Sequence, residues 1–446
     1  MTIKPAYYNL LTQLMVEHLN GVIEVNLTST PTKHFMLWTL NNNTHQENYL
    51  RILGVTRSIE WELKLFKDVI GEENLANITH HICLLNAYLG YQTLADNLAV
   101  GLGPSKKNDA QNYLDQKRVL IEFNNVMIKK IQGSTEDISN LFGPFLSLIR
   151  QISVSHNTLA PQQVEVFTRD YLRQHPRILH AELDHYFFEI FILTVTTCLA
   201  LIDSLKDNPM HEILKKSFLD KYASSNNIVV RSKNASHIKL CEWGLNSIGT
   251  IPTLAYCIGA LEEIFPHKNF CYVIENNLLL RSLGDAALLT RLLHDVGIQL
   301  LTMKIARREL FKMKLYDFAK NQSSQSIFEF LEATSTHPKL SSMMTNIRDA
   351  LKLGEYNICL DRLSNRKPLI DSITQCCNAI EYYAMLYQNH RKRLLMNLKL
   401  LSETLGDDQF SKIIINFVSL HKKKYRMESQ TKQGYDILKN EYKRAS

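Results

Sequence analysis

Proline is sparse in this sequence, and strand-like alternation is missing. Eleven prolines are spread over 446 residues, and residues 32–103, 105–143, 267–337 and 369–446 contain none. Because proline breaks helices, these gaps leave room for many helices of ordinary length. No segment alternates apolar and polar residues for long, whereas segments 52–70 and 278–301 repeat apolar residues at helical spacing. We therefore predict an all-α fold, a large helical bundle.

Paired cysteines and an export signal are also missing. The eight cysteines include no CxxC pair, and most lie inside apolar helical patterns, as is typical of a reducing compartment. The N-terminus MTIKPAYYNLLTQL lacks the basic start, apolar run and cleavage site of a signal peptide. These features predict a cytoplasmic location.

One apolar run is long, but it is interrupted. Residues 186–202 read YFFEIFILTVTTCLALI, with Glu189 and three threonines inside the run. It is short for a bilayer span, so we predict a buried core helix and no transmembrane segment. Apolar residues at 45% and charged residues at 21% are ordinary values for a globular protein.

Positive charge is concentrated at the C-terminus. Residues 421–446 hold eight Lys/Arg against three Asp/Glu, which is +5 of the net +7. This basic tail is predicted to contact an acidic partner or a membrane surface, or else to form a solvated helix end. Upstream, Tyr382, Tyr383 and Tyr387 precede the basic run of residues 390–393, a mixture suited to stacking bases or binding an anionic head group. A helix with an aromatic core face and a basic rim explains the same residues equally well. No motif for sequence-specific nucleic-acid binding is present.

Domain boundaries are weakly marked. One helical body over residues 1–446 is the main prediction. If the chain divides, turn-rich loops at residues 101–109 and 320–326 favour a region 1–105, a central bundle 106–322 and a C-terminal region 323–446 with the basic tail.

Complete catalytic motifs are missing as well, since the chain has no GxSxG, P-loop, GxGxxG, HExxH or kinase motif. The segment of residues 239–310 is nonetheless distinctive. It contains EWGLNSIGTIPTLAY (242–256) and then LLTRLLHDVGIQLLT (288–302). Ser247, Ile248 and Gly249 predict a helix break, and Arg291 stands three residues before His294 and Asp295. In this order and spacing the segment resembles the last third of class I terpenoid synthases.

The resemblance implies a helical protein that binds an isoprenoid or its diphosphate. If it is active, the implied activity is that of a lyase that ionises or cyclises a prenyl diphosphate with Mg²⁺. The implied catalytic group is Arg291, His294 and Asp295, with Arg291 holding the leaving diphosphate. The implied substrate-binding residues are Trp243, Ser247, Gly249, Arg307 and Arg308.

The metal motifs depart from the family pattern. The family places oxygen ligands at i, i+4 and i+8 of one helix, where this chain has His294, Ile298 and Thr302, a poor set for a hard cation. Asp295 lies about 100° around the helix from His294 and cannot replace it. No DDxxD occurs, and the nearest candidate is Asp203 with Asp207, expected at i and i+4 on one helix face.

A second set of candidate ligands lies in HAELDHYFFE, residues 180–189. On a helix, Glu182 and His185 stand at i and i+3, and His180 and Asp184 stand at i and i+4. Glu-x-x-His is half of a ferritin-like di-iron motif, and His-x-x-x-Asp resembles a haem-oxygenase-like metal oxidase. The alternative function is thus an iron-dependent oxidase, and a local hydrogen-bonded network explains the same residues without a metal.

The third hypothesis is a non-catalytic helical interaction protein. It follows from the lack of any complete motif, and its natural contact is the basic tail. Deleting residues 421–446 is then expected to weaken partner binding in a salt-dependent way.

Overall fold

The computed structural model describes residues 5–103, 110–155, 161–183, 186–322 and 326–428, and in these ranges the chain is helical without any strand. The all-α prediction is confirmed. The chain divides into two compact units. The first unit comprises residues 1–99, 109–226 and 252–271, and the second comprises residues 100–108, 227–251 and 272–446.

The helices of the N-terminal half are α1 (Pro5–Asn26), α2 (Pro31–Asn41), α3 (Gln46–Ile52), α4 (Val55–Ile70), α5 (Leu75–Asp96), α6 (Ala110–Ile131), α7 (Ile138–Phe142), α8 (Leu146–Ser155), α9 (Pro161–Gln174), α10 (Tyr186–Asp203) and α11 (His211–Arg231). The later helices are α12 (His237–Ser247), α13 (Thr250–Ile264), α14 (Phe270–Glu275), α15 (Leu278–Asp295), α16 (Ile298–Leu301), α17 (Ile305–Lys320), α18 (Ile327–Ala333), α19 (Pro338–Met343), α20 (Thr345–Leu353), α21 (Leu369–Leu405) and α22 (Gln409–Glu428).

The first unit is built around α10, which packs against α1, α5, α6 and α8. Phe187, Phe191, Leu193 and Cys198 are among its buried side chains, because a helix that is apolar on every side has to lie inside the protein. In the described part of the chain one segment, residues 180–203, is long and apolar enough to cross a membrane by length and composition, and 69% of its most apolar window is buried. This burial agrees with the predicted core helix.

The second unit is built around α15, which packs against α12, α20, α21 and α22. Most of its side chains are buried, including the polar groups Ser282, Asp285, Thr290, Arg291 and Asp295. Buried polar groups need partners, so α15 determines where the neighbouring helices place their polar side chains.

Local sequence signals explain several helix ends. The Thr30 hydroxyl accepts a hydrogen bond from Lys33 N at 3.1 Å and caps α2, whose first residue is proline. Ser236 caps α12 in the same way. One prediction needs correction: the helix expected over residues 278–301 is two helices, α15 and α16.

The two units do not follow the predicted boundaries. The chain passes between units near residues 99 and 108, beside the predicted loop 101–109, and again near residues 226, 251 and 271 inside the predicted central bundle. The predicted boundary between residues 322 and 323 lies within the second unit, because α17 before it and α18 after it both belong to that unit.

Candidate functional site

The three residues predicted to be catalytic are brought together near the end of α15. Arg291 and Asp295 are one helical turn apart, and Arg291 Nε and Nη2 lie 2.9 Å and 2.8 Å from Asp295 Oδ2. His294 Nδ1 lies 2.7 Å from Asp295 Oδ1. The Asp295 side chain is fully buried, that of Arg291 is 8% exposed, and that of His294 is 32% exposed.

Asp295 is ionised in this arrangement. Burial by itself raises the pKa of a carboxyl, but Arg291 and His294 outweigh burial and hold the pKa of Asp295 below its usual value. An ionised carboxylate only accepts hydrogen bonds, so His294 Nδ1 is the donor. Ile358 N also donates to Asp295 Oδ2 at 2.9 Å, and Asn357 Nδ2 donates to the Asp295 carbonyl oxygen at 2.9 Å.

The Arg291 guanidinium is held on several sides. Its Nη2 donates to the Tyr356 carbonyl at 3.0 Å, and its Cζ lies 4.7 Å from the centre of the Tyr356 ring. A Cβ atom on Gly244 of α12 would lie 3.2 Å from Arg291 Cγ, so glycine allows the close packing of α12 on α15. Arg291 and Asp295 thus join α12, α15 and the segment around Tyr356, and in this conformation the arginine is bound to protein groups.

The three positions that hold metal ligands in the family pattern, His294, Ile298 and Thr302, are separated here by a helix end. α15 ends at Asp295, Gly297 has φ +85°, and α16 begins at Ile298. Asn346 Nδ2 donates to the His294 carbonyl at 2.9 Å and satisfies one of the carbonyls freed there. His294, Ile298 and Thr302 therefore do not share one helix face, which adds to their departure from the family pattern. This donor set does not fit Mg²⁺, which requires oxygen ligands in an octahedral arrangement.

The helix break predicted at residues 247–249 is present. α12 ends at Ser247, Gly249 has φ +75°, and α13 begins at Thr250. The Ser247 hydroxyl donates to the Gly244 carbonyl at 3.1 Å, a local bond within α12. Trp243 is half-buried on the same helix. The roles of Trp243, Ser247 and Gly249 in substrate binding stay predictions.

Arg307 and Arg308 lie in the first turn of α17. Arg307 is exposed, while Arg308 Nε donates to the Met303 carbonyl at 3.0 Å. Arg308 therefore closes the turn before its own helix, and diphosphate binding by either arginine stays a prediction.

The candidate metal ligands do not share one α-helix as predicted, neither Asp203 with Asp207 nor His180 with Glu182. α10 ends at Asp203 and Asp207 lies in the following turns, so the two are not on one helix, and both are exposed. His180 and Glu182 lie in a 3₁₀ turn, where the Glu182 carboxylate accepts a 2.6 Å hydrogen bond from Leu179 N. The expectation of one α-helix through His180 and Glu182 was wrong. Asp184 and His185 lie outside the described residues.

No group of three or more His, Cys, Asp or Glu side chains is positioned to share a metal ion within the described ranges. His180 and Glu182 are exposed, and their two remaining candidate partners are not described, so iron binding stays a prediction. Mg²⁺ binding at Asp203 and Asp207 likewise stays a prediction.

A chain of hydrogen bonds in the first unit was not predicted. His81 Nε2 lies 3.3 Å from Glu263 Oε2, and His81 Nδ1 lies 3.0 Å from the Tyr256 hydroxyl. Burial lowers the pKa of His81 to about 4, so the ring is neutral near pH 7. A neutral ring that donates to Glu263 accepts from Tyr256. The sequence does not show that His81 meets Tyr256 and Glu263, because α5 and α13 are far apart in the chain.

A second cluster that sequence analysis missed is centred on the buried Asp285 of α15. Its Oδ1 accepts from His390 Nδ1 at 2.7 Å, and its Oδ2 accepts from Arg393 Nε at 2.9 Å. Asn397 Nδ2 donates to Oδ2 at 3.4 Å. His390, Arg393 and Asn397 recur at i, i+3 and i+7 of α21, which is the only trace of this cluster in the sequence.

Comparisons with known proteins give no family for the chain. No protein-family model matches it, and neither a curated protein nor a solved structure does.

In the second unit, α21 carries a surface whose charged side chains are all positive. Residues 382–402 contain no Asp or Glu, and they contain Arg391, Lys392, Arg393 and Lys399. Asp285 neutralises Arg393, whereas Arg391, Lys392 and Lys399 are exposed. We call the exposed side chains of residues 391–400 the basic face of α21.

Proposed function

We propose that the protein is a helical interaction protein that binds an anionic partner through the basic face of α21. The observation that carries the proposal is the run of 21 residues, 382–402, without a carboxylate on a long surface helix. Clustered cations of this kind attract polyanions and speed their association.

The neighbouring helix adds cations to the same region. Gly406, with φ +73°, ends α21, and α22 packs back against α21. His421 and Arg391 are equally far from Gly406 along the chain, so we infer that an antiparallel arrangement of the two helices places the start of the basic tail beside the basic face. Lys422 is exposed. The tail beyond residue 428 lies outside the described residues.

Carboxylates of the protein itself compete only weakly with an external anion for the lysines of the basic face. Lys399 Nζ lies 3.7 Å from Glu403 Oε1, and the two side chains are 80% and 60% exposed. An ion pair so exposed contributes little to stability, so Lys399 can exchange it for an external anion.

The test measures binding of fluorescent poly-L-glutamate to the full chain by anisotropy. Lys392→Gln/Lys399→Gln is expected to weaken binding about tenfold near 0.1 M salt and to reduce its salt dependence. The matched control is Lys129→Gln/Lys206→Gln, which removes the same charge from exposed positions of the first unit. Equal losses in both variants would mean that net charge, and not this face, is responsible.

The prenyl diphosphate hypothesis keeps one specific observation in its favour, the break at Gly249 between α12 and α13. For Arg291 to bind a diphosphate it must first leave Asp295. The assay is diphosphate release from geranyl, farnesyl and geranylgeranyl diphosphates with magnesium, followed by mass spectrometry of the extract. Turnover that Arg291→Ala abolishes, while circular dichroism shows that the variant is still folded, would support the hypothesis. No release from any of the three diphosphates would exclude these substrates.

A further inference from the structure

Apolar side chains stand among the cations of the basic face. Leu395 is 47% exposed, Met396 72% and Leu400 52%, while Leu394, Leu398 and Leu401 are buried on the opposite side. α21 is therefore apolar on two sides in this stretch, and only one side is covered by the protein.

The helical spacing mixes these side chains with the cations. Lys392, Leu395, Met396 and Lys399 stand at i, i+3, i+4 and i+7, which is one face of a helix. From residue 391 to residue 400 the face is about 14 Å long. On this face Lys392 and Lys399 lie, around the helix axis, between Leu395 and Met396. Long lysine side chains can reach outward to an anionic surface while apolar neighbours enter it, as in helices that lie at a membrane surface.

The same line of α21 contacts other helices of the second unit at two points earlier in the helix. The Thr374 hydroxyl lies 2.8 Å from the Tyr316 hydroxyl of α17, and Gln388 Nε2 donates to the Leu301 carbonyl of α16 at 3.3 Å. Two turns beyond Gln388, at the same position of the heptad, comes the exposed Leu395. The basic face thus continues a line of α21 that the second unit contacts at Thr374 and Gln388, and at Leu395 that line is exposed.

We propose that the basic face of α21 docks on an anionic lipid membrane, an inference that rests on the proposed function and names its partner. Leu395, Met396 and Leu400 enter the boundary between head groups and acyl chains. Arg391, Lys392 and Lys399 contact the lipid phosphates.

Two observations favour a membrane over an acidic protein. Met396 is 72% exposed, so it protrudes from a single convex helix and does not line a groove. The cations are spread along the face without an intervening acid, which suits a plane of negative charge better than a few discrete carboxylates.

The test is co-sedimentation of the full chain with vesicles of phosphatidylcholine alone, or of phosphatidylcholine with 30% phosphatidylserine. Binding is expected only with phosphatidylserine. Leu395→Ser/Met396→Ser/Leu400→Ser is expected to reduce vesicle binding at least tenfold and to keep poly-L-glutamate binding, because it leaves every cation in place. The matched control Val25→Ser/Leu114→Ser/Val230→Ser changes three other exposed apolar residues and is expected to bind vesicles like the wild type.

The outcomes separate this inference from the proposed function. The wild type could bind poly-L-glutamate through Lys392 and Lys399 and fail to bind phosphatidylserine vesicles. That result would overturn the membrane inference and indicate an acidic protein as the partner. Vesicle binding unchanged by the triple apolar variant would also overturn it. Failure with both vesicles and poly-L-glutamate would remove the proposed function as well. Circular dichroism of each variant checks that a loss of binding is not a loss of folding.

Discussion

At the scale of single residues, Arg291 and Asp295 form an ion pair across one turn of α15. Both side chains are buried in the second unit, and each is the main partner of the other. Removing one leaves a buried charge without compensation, which typically costs about 3–5 kcal/mol. A buried pair replaced by apolar side chains of similar volume usually costs much less.

We therefore expect Arg291→Met to lower the free energy of unfolding by about 3–5 kcal/mol, and Arg291→Met/Asp295→Leu to lower it by less than this single change. Urea unfolding followed by circular dichroism measures both. A double variant that loses the sum of the two single losses would show that the residues act independently.

Glu189 predicts a pH dependence in the first unit. Its side chain is buried in α10, Oε1 accepts a 3.3 Å bond from the Thr30 hydroxyl, and within the described structure Oε2 has no hydrogen-bond partner. Burial raises its pKa from 4.5 to about 7. The folded state therefore holds a proton that the unfolded state has lost, so this residue's contribution to stability falls as pH rises from about 4.5 to about 7.

Glu189→Gln removes this titration. From about pH 5 to about pH 8 the wild type is expected to lose up to about 3 kcal/mol of its free energy of unfolding through Glu189, and the variant is expected to keep this amount. Urea unfolding at the two pH values gives the difference. The Glu60→Gln variant, at an exposed position in the same unit, is the control and is expected to show no such change. A wild-type difference that Glu189→Gln leaves in place would assign the pH dependence to other groups.

At the scale of helices, two glycines of the second unit should respond oppositely to alanine. Gly249 has φ +75° at the break between α12 and α13, a conformation that costs an L-residue about 1–2 kcal/mol. Gly284 lies inside α15, and a Cβ there meets no atom within 4 Å. Alanine in a helix interior is more stable than glycine by about 0.5–1 kcal/mol.

Gly249→Ala is thus expected to lower the thermal midpoint and Gly284→Ala to raise it, as measured by differential scanning calorimetry. The double variant should give nearly the sum, because the two sites lie on different elements. A neutral Gly249→Ala would mean that the break relaxes into a continuous helix, and the crystal structure of that variant would show it.

At the scale of the whole molecule, thiol access reports on compactness. Seven cysteines are buried, and Cys271 is exposed. Burial also raises the pKa of Cys83 to about 11 and the pKa values of Cys241 and Cys377 to about 12, which lowers their thiolate fraction. Native protein should react rapidly with Ellman's reagent at one thiol per chain, and denatured protein at all eight.

The Cys271→Ser variant should show no rapid native reaction and seven thiols after denaturation. Several rapid thiols in the native wild type would indicate that one of the two units opens readily. Peptide mapping of the labelled protein would identify which unit it is.

Much of the fold follows from local sequence. The spacing of apolar residues over 52–70 predicts a helix, and α4 covers Val55–Ile70. The run at residues 186–202 predicts a core helix, which α10 is. The small residues at 247–249 predict the break before α13. These features depend on periodicity and backbone preference within a few turns, which a linear sequence contains in full.

The partners of the polar side chains depended on tertiary structure. Arg291 was predicted to hold a diphosphate. In the structure its side chain is buried beside Asp295, and residues 356–358 and Gly244 complete its surroundings. The end of α15 at Asp295 likewise separates His294 from Ile298 and Thr302. Sequence alone determined an all-α protein with an acid-free basic segment, because composition and periodicity are local. Which charges are neutralised inside and which remain on the surface was decided by packing, because a buried charge needs partners that come from distant parts of the chain.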